Sequence, residues 1–101
     1  MNNEYINSGV DKQGNKLPGN YNYKKKLAIV LDETAAEVLR AKQLFPVDFH
    51  NQHEAYAVIL EEIDELWDEI KKNHKLYDLE AQRKEAKQAA AMLVRMMVEL
   101  L

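Results

Sequence analysis

His53 to Asn73 reads HEAYAVILEEIDELWDEIKKN, and the two faces of this stretch decide the fold. Tyr56, Ile59, Leu60, Ile63, Leu66, Trp67 and Ile70 recur at three- and four-residue spacing, which is one apolar stripe on a helix. Wound at about 100° per residue, the same helix gathers Glu54, Glu61, Glu62, Glu65 and Glu69 on its other side. A helix with one apolar face must bury that face, so the stripe predicts packing against other helices. Asn73 and His74 read as the end of the segment.

Before this helix, residues 46–52 (PVDFHNQ) form a connector. Pro46 lacks an N–H and ends the preceding segment. That segment, Leu27 to Phe45, carries Leu31, Ala35, Val38, Ala41 (or Lys42) and Phe45 at helical spacing. Asp32 is either its N-cap or an interior residue of a helix that starts earlier, and the sequence leaves both open. Residues 1–23 hold all three glycines, Pro18 and many asparagines, with no sustained apolar period, and predict a flexible or turn-rich arm. Tyr5, Tyr21 and Tyr23 in it are candidates to pack on the body or a partner, and Lys24 to Lys26 read as a solvated basic run. The division expected is an arm over 1–26 and a helical domain over 27–101.

After the helix, residues 74–78 are a short link, which favours antiparallel neighbours. A third helix runs from about Asp78 to the C-terminus. Its second half, AAAMLVRMMVELL, is apolar nearly all round, with only Arg95 and Glu99 polar. Such a helix needs cover on several sides, and a subunit interface is the expected cover. Met92, Met96 and Met97 would fill core or interface. The fold class is therefore all-α: three main helices in a bundle completed by dimerisation.

Composition narrows the function classes. The chain has 101 residues, 47% hydrophobic and 31% charged, which fits one globular domain. A single copy this small has little depth for a nucleotide pocket, so an enzyme reading leans on oligomerisation. The net charge of −3 gives no electrostatic case for binding nucleic acid. With no cysteine, disulfides and thiolate metal sites are excluded. No apolar run reaches the length of a membrane span, and the N-terminus lacks a hydrophobic signal core, so a cytoplasmic protein without a membrane partner is expected.

The acidic face is unusual for a solvated one. Stable exposed helices pair Glu with Lys four residues on. Here Glu61–Glu65, Glu65–Glu69 and Asp64–Asp68 are like-charge pairs at that spacing, and only Lys71 and Lys72 offer compensation. Val58 lies within the acidic sector, which indicates that the sector is partly covered. Crowded, partly desolvated carboxylates need a cation or must take up protons. Mg²⁺ suits them, as a hard ion with oxygen ligands that also bridges to phosphates. Glu62 and Glu65 project from adjacent turns, and Glu85 with Gln88 could complete an oxygen cage from the next helix.

These residues resemble a known family. Glu61 to Glu65 (EEIDE) looks like the E-E-x-x-E motif of the MazG-like all-α NTP pyrophosphatase superfamily. That superfamily pairs the motif with E-x-x-D on the following helix, and the counterpart here is Glu85-Ala86-Lys87-Gln88. Roughly residues 35–100 resemble its short phage-type and bacterial members. The resemblance implies Mg²⁺-dependent hydrolysis of (d)NTPs to (d)NMP and pyrophosphate, with Mn²⁺ as an alternative ion, by a homodimer or dimer of dimers. It implies Glu62, Glu65 and Glu85 as catalytic metal ligands and Glu61 as a supporting or alternative ligand. Gln88 departs from the family's Asp; its carbonyl can ligate Mg²⁺ but brings no charge, and Glu99 or Glu54 could supply the difference.

Other residues have competing readings. Lys84 and Lys87 flank Glu85 and are candidates to meet the triphosphate. Arg95 either pairs with Glu99 or a subunit neighbour, which is favoured, or grips a phosphate. Trp67 reads as core before base stacking, and His50 with His53 as a helix start before a zinc site. Two rival functions remain. One is a non-catalytic interaction protein that keeps the MazG-like fold; the other is a helical adaptor whose acidic face binds a basic partner.

Overall fold

The structure, a computed structural model, describes residues 11–15, 21–72, 75 and 78–101. Its elements are three helices: α1 (Tyr21–Leu44), α2 (Gln52–Ile70) and α3 (Leu79–Leu100). There is no strand among the described residues, and the fold is an all-α three-helix bundle. No described helix is long and apolar enough to cross a membrane.

The chain divides into two compact units, residues 1–32 and 33–101, with the division inside α1. In the first unit, Asp11 closes a tight turn. Its Oδ1 accepts from the backbone N–H of Gln13 and of Asn15, each at 2.9 Å, and Gly14 takes the positive φ of 86° that the turn requires. The expected arm otherwise falls largely on residues 1–10 and 16–20, outside the described residues. Helix α1 begins at Tyr21, earlier than the apolar period suggests, so Asp32 is interior and not an N-cap. Lysine, leucine and alanine carry the helix across a stretch with no buried face of its own.

In the second unit the helix ends follow local chemistry. Phe45 N–H closes the last turn of α1 on the Ala41 carbonyl, and Pro46 prevents continuation. Asn51 is the N-cap of α2, its side chain accepting from Glu54 N–H at 2.9 Å. Glu54 reaches back to the His50 N–H at 3.1 Å, a variant of the capping box. Asp78 caps α3, accepting from the N–H groups of Glu80 and Ala81. Asn51→Ala removes one cap and is expected to cost about 1 kcal/mol, read as a lower urea midpoint with an unchanged m-value. The ends expected at Asn73 and His74 lie outside the described residues; α2 closes at Ile70, capped by Lys71.

Helix α3 packs along α2. Val58 shares a cleft with Met92, and Glu62 and Glu65 meet Glu85, so later residues of α2 face earlier residues of α3 and the pair is antiparallel. The core comprises Ala41, Phe49, Ala55, Ile59, Ala91 and Met92. The small side chains of Ala55 and Ala91, both 0% exposed, let the helices approach closely. Val38 and Val58 pack against this core, so Val58 does mark a covered sector.

One expectation is overturned. The residues of α2 turned towards α3 run Ala55, Ile59, Glu62, Leu66 and Glu69, at alternating four- and three-residue steps. Of the stripe expected to be buried, only Ile59 is buried and Leu66 half-buried; Tyr56, Leu60, Ile63, Trp67 and Ile70 are exposed, Trp67 at 56%. Trp67 is therefore not a core residue of the single chain. The helix is rotated so that its acidic edge, and not the middle of its apolar stripe, lies in the seam. On α3, Leu93, Met97, Val98 and Leu101 are likewise exposed, as expected of a helix that is apolar nearly all round.

Candidate metal centre

The seam between α2 and α3 changes character along its length. One half is the alanine-rich core; the other, one turn beyond Ile59, holds carboxylates. A carboxylate oxygen from each of Glu62, Glu65 and Glu85 lies within 4.8 Å of the other two. Helical spacing puts Glu62 and Glu65 on adjacent turns of α2, and the antiparallel register of α3 delivers Glu85 opposite them. Glu62 and Glu85 are half-buried and Glu65 is exposed.

The electrostatics are those of a site short of positive charge. Oε2 of Glu62 and Oε2 of Glu85 are buried and accept no hydrogen bond from any described residue. Burial raises the Glu62 carboxyl above the usual carboxylate range, and the neighbouring Glu65, Glu85 and Glu61 push it the same way. Burial also raises Glu85, followed by its contact with Glu65; Lys84 opposes this and Glu69 adds to it. The end of α2 is relieved as expected, with Lys71 Nζ 3.1 Å from Asp68 and Lys72 Nζ 2.6 Å from Glu69. Among the described residues no ion pair serves the triad. Three oxygen donors converging from two helices could hold a hard divalent cation. The fit of this cluster to such an ion rests on those two orphaned oxygens, for which a cation is the natural partner.

The other candidate residues fall into distinct places. Gln88 is half-buried on α3, one turn beyond Glu85 and on the same side of the helix. Glu61 lies outside the converging triad, on the wall of an adjoining cleft. Lys84 and Lys87 both act electrostatically on Glu37 of α1, and Lys84 also on Glu85. Glu37 is 9% exposed and held below its usual range, first by its hydrogen bonds to Arg40 and then by the charges around it.

The chain matches no protein-family model, no curated protein and no solved structure.

Arg95 and Glu99 make the structural pair that was favoured. Arg95 Nε donates to Glu99 Oε2 at 2.7 Å and Nη2 to Oε1 at 3.1 Å, with both side chains nearly inaccessible. The pair also grips the connector. Arg95 Nη2 donates to the Val47 carbonyl, its guanidinium lies 4.5 Å from the Phe49 ring centroid, and Glu99 Oε1 accepts from Phe49 N–H at 2.8 Å. Glu99 is therefore committed to the connector. Glu54 is committed to His50, through Nδ1 at 2.9 Å as well as the backbone. Neither belongs to the triad as a replacement for the charge missing at Gln88. The place of residues 45–49 was not legible: Phe45 reads as the end of the first helix's apolar pattern and 46–52 as a connector, yet Phe45, Val47 and Phe49 line a cleft of about 370 Å³ together with Val58 and Met92. Two phenylalanines flanking a proline in so short a link were the signal available.

Proposed function

We propose that this chain is a Mg²⁺-dependent nucleoside triphosphate pyrophosphohydrolase, converting (d)NTP to (d)NMP and pyrophosphate in cytoplasmic nucleotide housecleaning. The observation that carries this reading is the convergence of Glu62, Glu65 and Glu85 with two buried, donor-less oxygens. The likeness of residues 61–65 and 85–88 to the paired motifs of the MazG-like superfamily supports it. Glu62 and Glu85 bring carboxylate oxygens from two helices, and Glu65, the exposed member, stands open to solvent. Gln88 contributes a neutral carbonyl on the same side as Glu85. Mn²⁺ could replace Mg²⁺ on these oxygens. Bound there, the ion supplies charge screening for the phosphate oxygens and lowers the pKa of a water. In the reaction, water oxygen bonds to the α-phosphorus and gives a proton to solvent, the bond from that phosphorus to the bridging oxygen breaks, and pyrophosphate leaves with the electron pair.

A homodimer or dimer of dimers belongs to the same reading. The exposed faces of Tyr56, Leu60, Ile63, Trp67 and Ile70 on α2, and of Leu93, Met97 and Leu101 on α3, are apolar at helical spacing. Continuous apolar surface of this kind marks an interaction site. The same faces favour the second reading, a non-catalytic helical interaction protein with the same fold, in which Gln88 records lost chemistry.

Pyrophosphate release from a panel of NTPs and dNTPs separates the two. The expected result is release with Mg²⁺, none with EDTA, and none from a Glu62→Ala/Glu65→Ala variant. Silence across the panel with both Mg²⁺ and Mn²⁺ would leave the interaction protein as the better reading.

A further inference from the structure

The cleft beside the carboxylate triad shares Glu62 with it, so whatever is held at the triad has the cleft within reach. Its apolar surface comes from both sides of the seam: Phe45 and Phe49 of the connector, Val58 of α2 and Met92 of α3. Phe49 is buried and held by Arg95, whereas Phe45 is 67% exposed at the end of α1 and has a ring free to stack. A flat ring of nucleobase size suits such a surface.

The polar groups of the cleft discriminate further. Glu54 and Glu61 stand on its wall and, when ionised, are acceptors only. Glu54 stays ionised because its bonds from His50, the backbone N–H foremost, hold it below the usual range. Glu61 has no hydrogen bond to any described residue and lies exposed. Among the described residues that line the cleft Arg95 is the cationic one; it gives Nε and Nη2 to Glu99 and Val47, and its side chain is nearly inaccessible. A base edge that offers amino hydrogens completes Glu61, and adds to Glu54, whose two oxygens each meet His50 and each keep a further lone pair. An edge that offers a carbonyl in the same place sets acceptor against acceptor and forgoes the hydrogen bond, a loss that sites built for hydrogen bonding use to discriminate.

We infer that this cleft seats the base of the nucleotide and selects bases carrying an exocyclic amino group, with Glu61 and Glu54 as the specificity-determining acceptors. The inference rests on the nucleotide reading of the triad. It predicts that dCTP is preferred to dUTP, and dATP to dITP, since within each pair an amino group is exchanged for a carbonyl. The experiment is pyrophosphate release under Mg²⁺ from all four nucleotides, by the unaltered protein and by Glu61→Gln and Glu54→Gln. The expected preference is at least about tenfold in kcat/KM for the amino member of each pair. Glu61→Gln, whose amide can donate to a carbonyl, is expected to narrow that ratio without loss of fold, because Glu61 is exposed. Equal turnover within each pair, a preference for the carbonyl members, or a ratio unmoved by both variants would overturn the inference while leaving the pyrophosphohydrolase intact. No release from any nucleotide would remove that reading and this one together.

Discussion

Arg95→Ala is expected to be the most destabilising single substitution, at about 3–5 kcal/mol. Removing one member of a buried ion pair strands the other. Here Glu99, whose side chain is 6% exposed, would keep its charge with only the Phe49 N–H and a distant Lys42 at 3.7 Å. The Val47 carbonyl and the Phe49 ring would lose their partner as well, so the connector would come away from α3. Domains of this size are stable by about 5–15 kcal/mol in all, so the loss is a large fraction and should be plain in urea or thermal melts. The paired change Arg95→Met/Glu99→Leu separates causes. If stranded charge is the cost, the double variant recovers most of the loss; if it is no more stable than Arg95→Ala, the grip on the connector is what matters. The pH dependence has a definite sign. The Arg95 hydrogen bonds, then the Phe49 N–H, hold Glu99 below its usual range in the fold. Its stabilisation is therefore present above the unfolded value and is lost as pH falls through the folded one.

Glu62→Gln should act in the opposite direction, raising the melting temperature of the metal-free protein near neutral pH. Glu62 is raised by burial and by Glu65, Glu85 and Glu61, so its charged form is disfavoured in the fold. For a carboxyl raised on folding, the penalty is absent below the unfolded value and grows as pH rises through the folded one. The gain from Glu62→Gln should accordingly vanish in acid. Lys84 opposes the rise at Glu85 but does not reverse it. Millimolar Mg²⁺ should stabilise the unaltered protein, by about 2.7 kcal/mol where the ion stands at a hundredfold its Kd, and should do little for the variant. An unaltered protein whose melt ignores both Mg²⁺ and Mn²⁺ would show that these carboxylates do not form a metal site.

Much of the chain was legible because helix formation is local. Pro46 stopped α1, and the 3.6-residue period located both later helices, whose starts, expected at about His53 and Asp78, fall at Gln52 and Leu79. The like-charge pairs of α2 pointed to a covered acidic edge, and Glu62, Glu65 and Glu85 do come together. The start of α1 was misplaced because its first turns bury nothing and so carry no period. Phe45 reads only as part of the first helix's apolar pattern and Phe49 only as connector, because what such residues line depends on what they are folded against.

The sequence by itself therefore determined the all-α class, the stop of α1 at Pro46, the approximate starts of α2 and α3 and the residues able to form an oxygen-donor cluster, since each depends on neighbours within a few positions. It did not determine the rotation of α2 about its own axis. An amphipathic helix has a wide apolar sector, and both Ala55–Ile59–Leu66 and Tyr56–Ile63–Trp67 lie within it. Only packing against α3 chose the first, because the alanines permit close approach and the larger side chains do not. That choice carried Glu62 and Glu69 into the seam and left Trp67 outside it. It also set Glu61 on the wall of a cleft that no local pattern could announce.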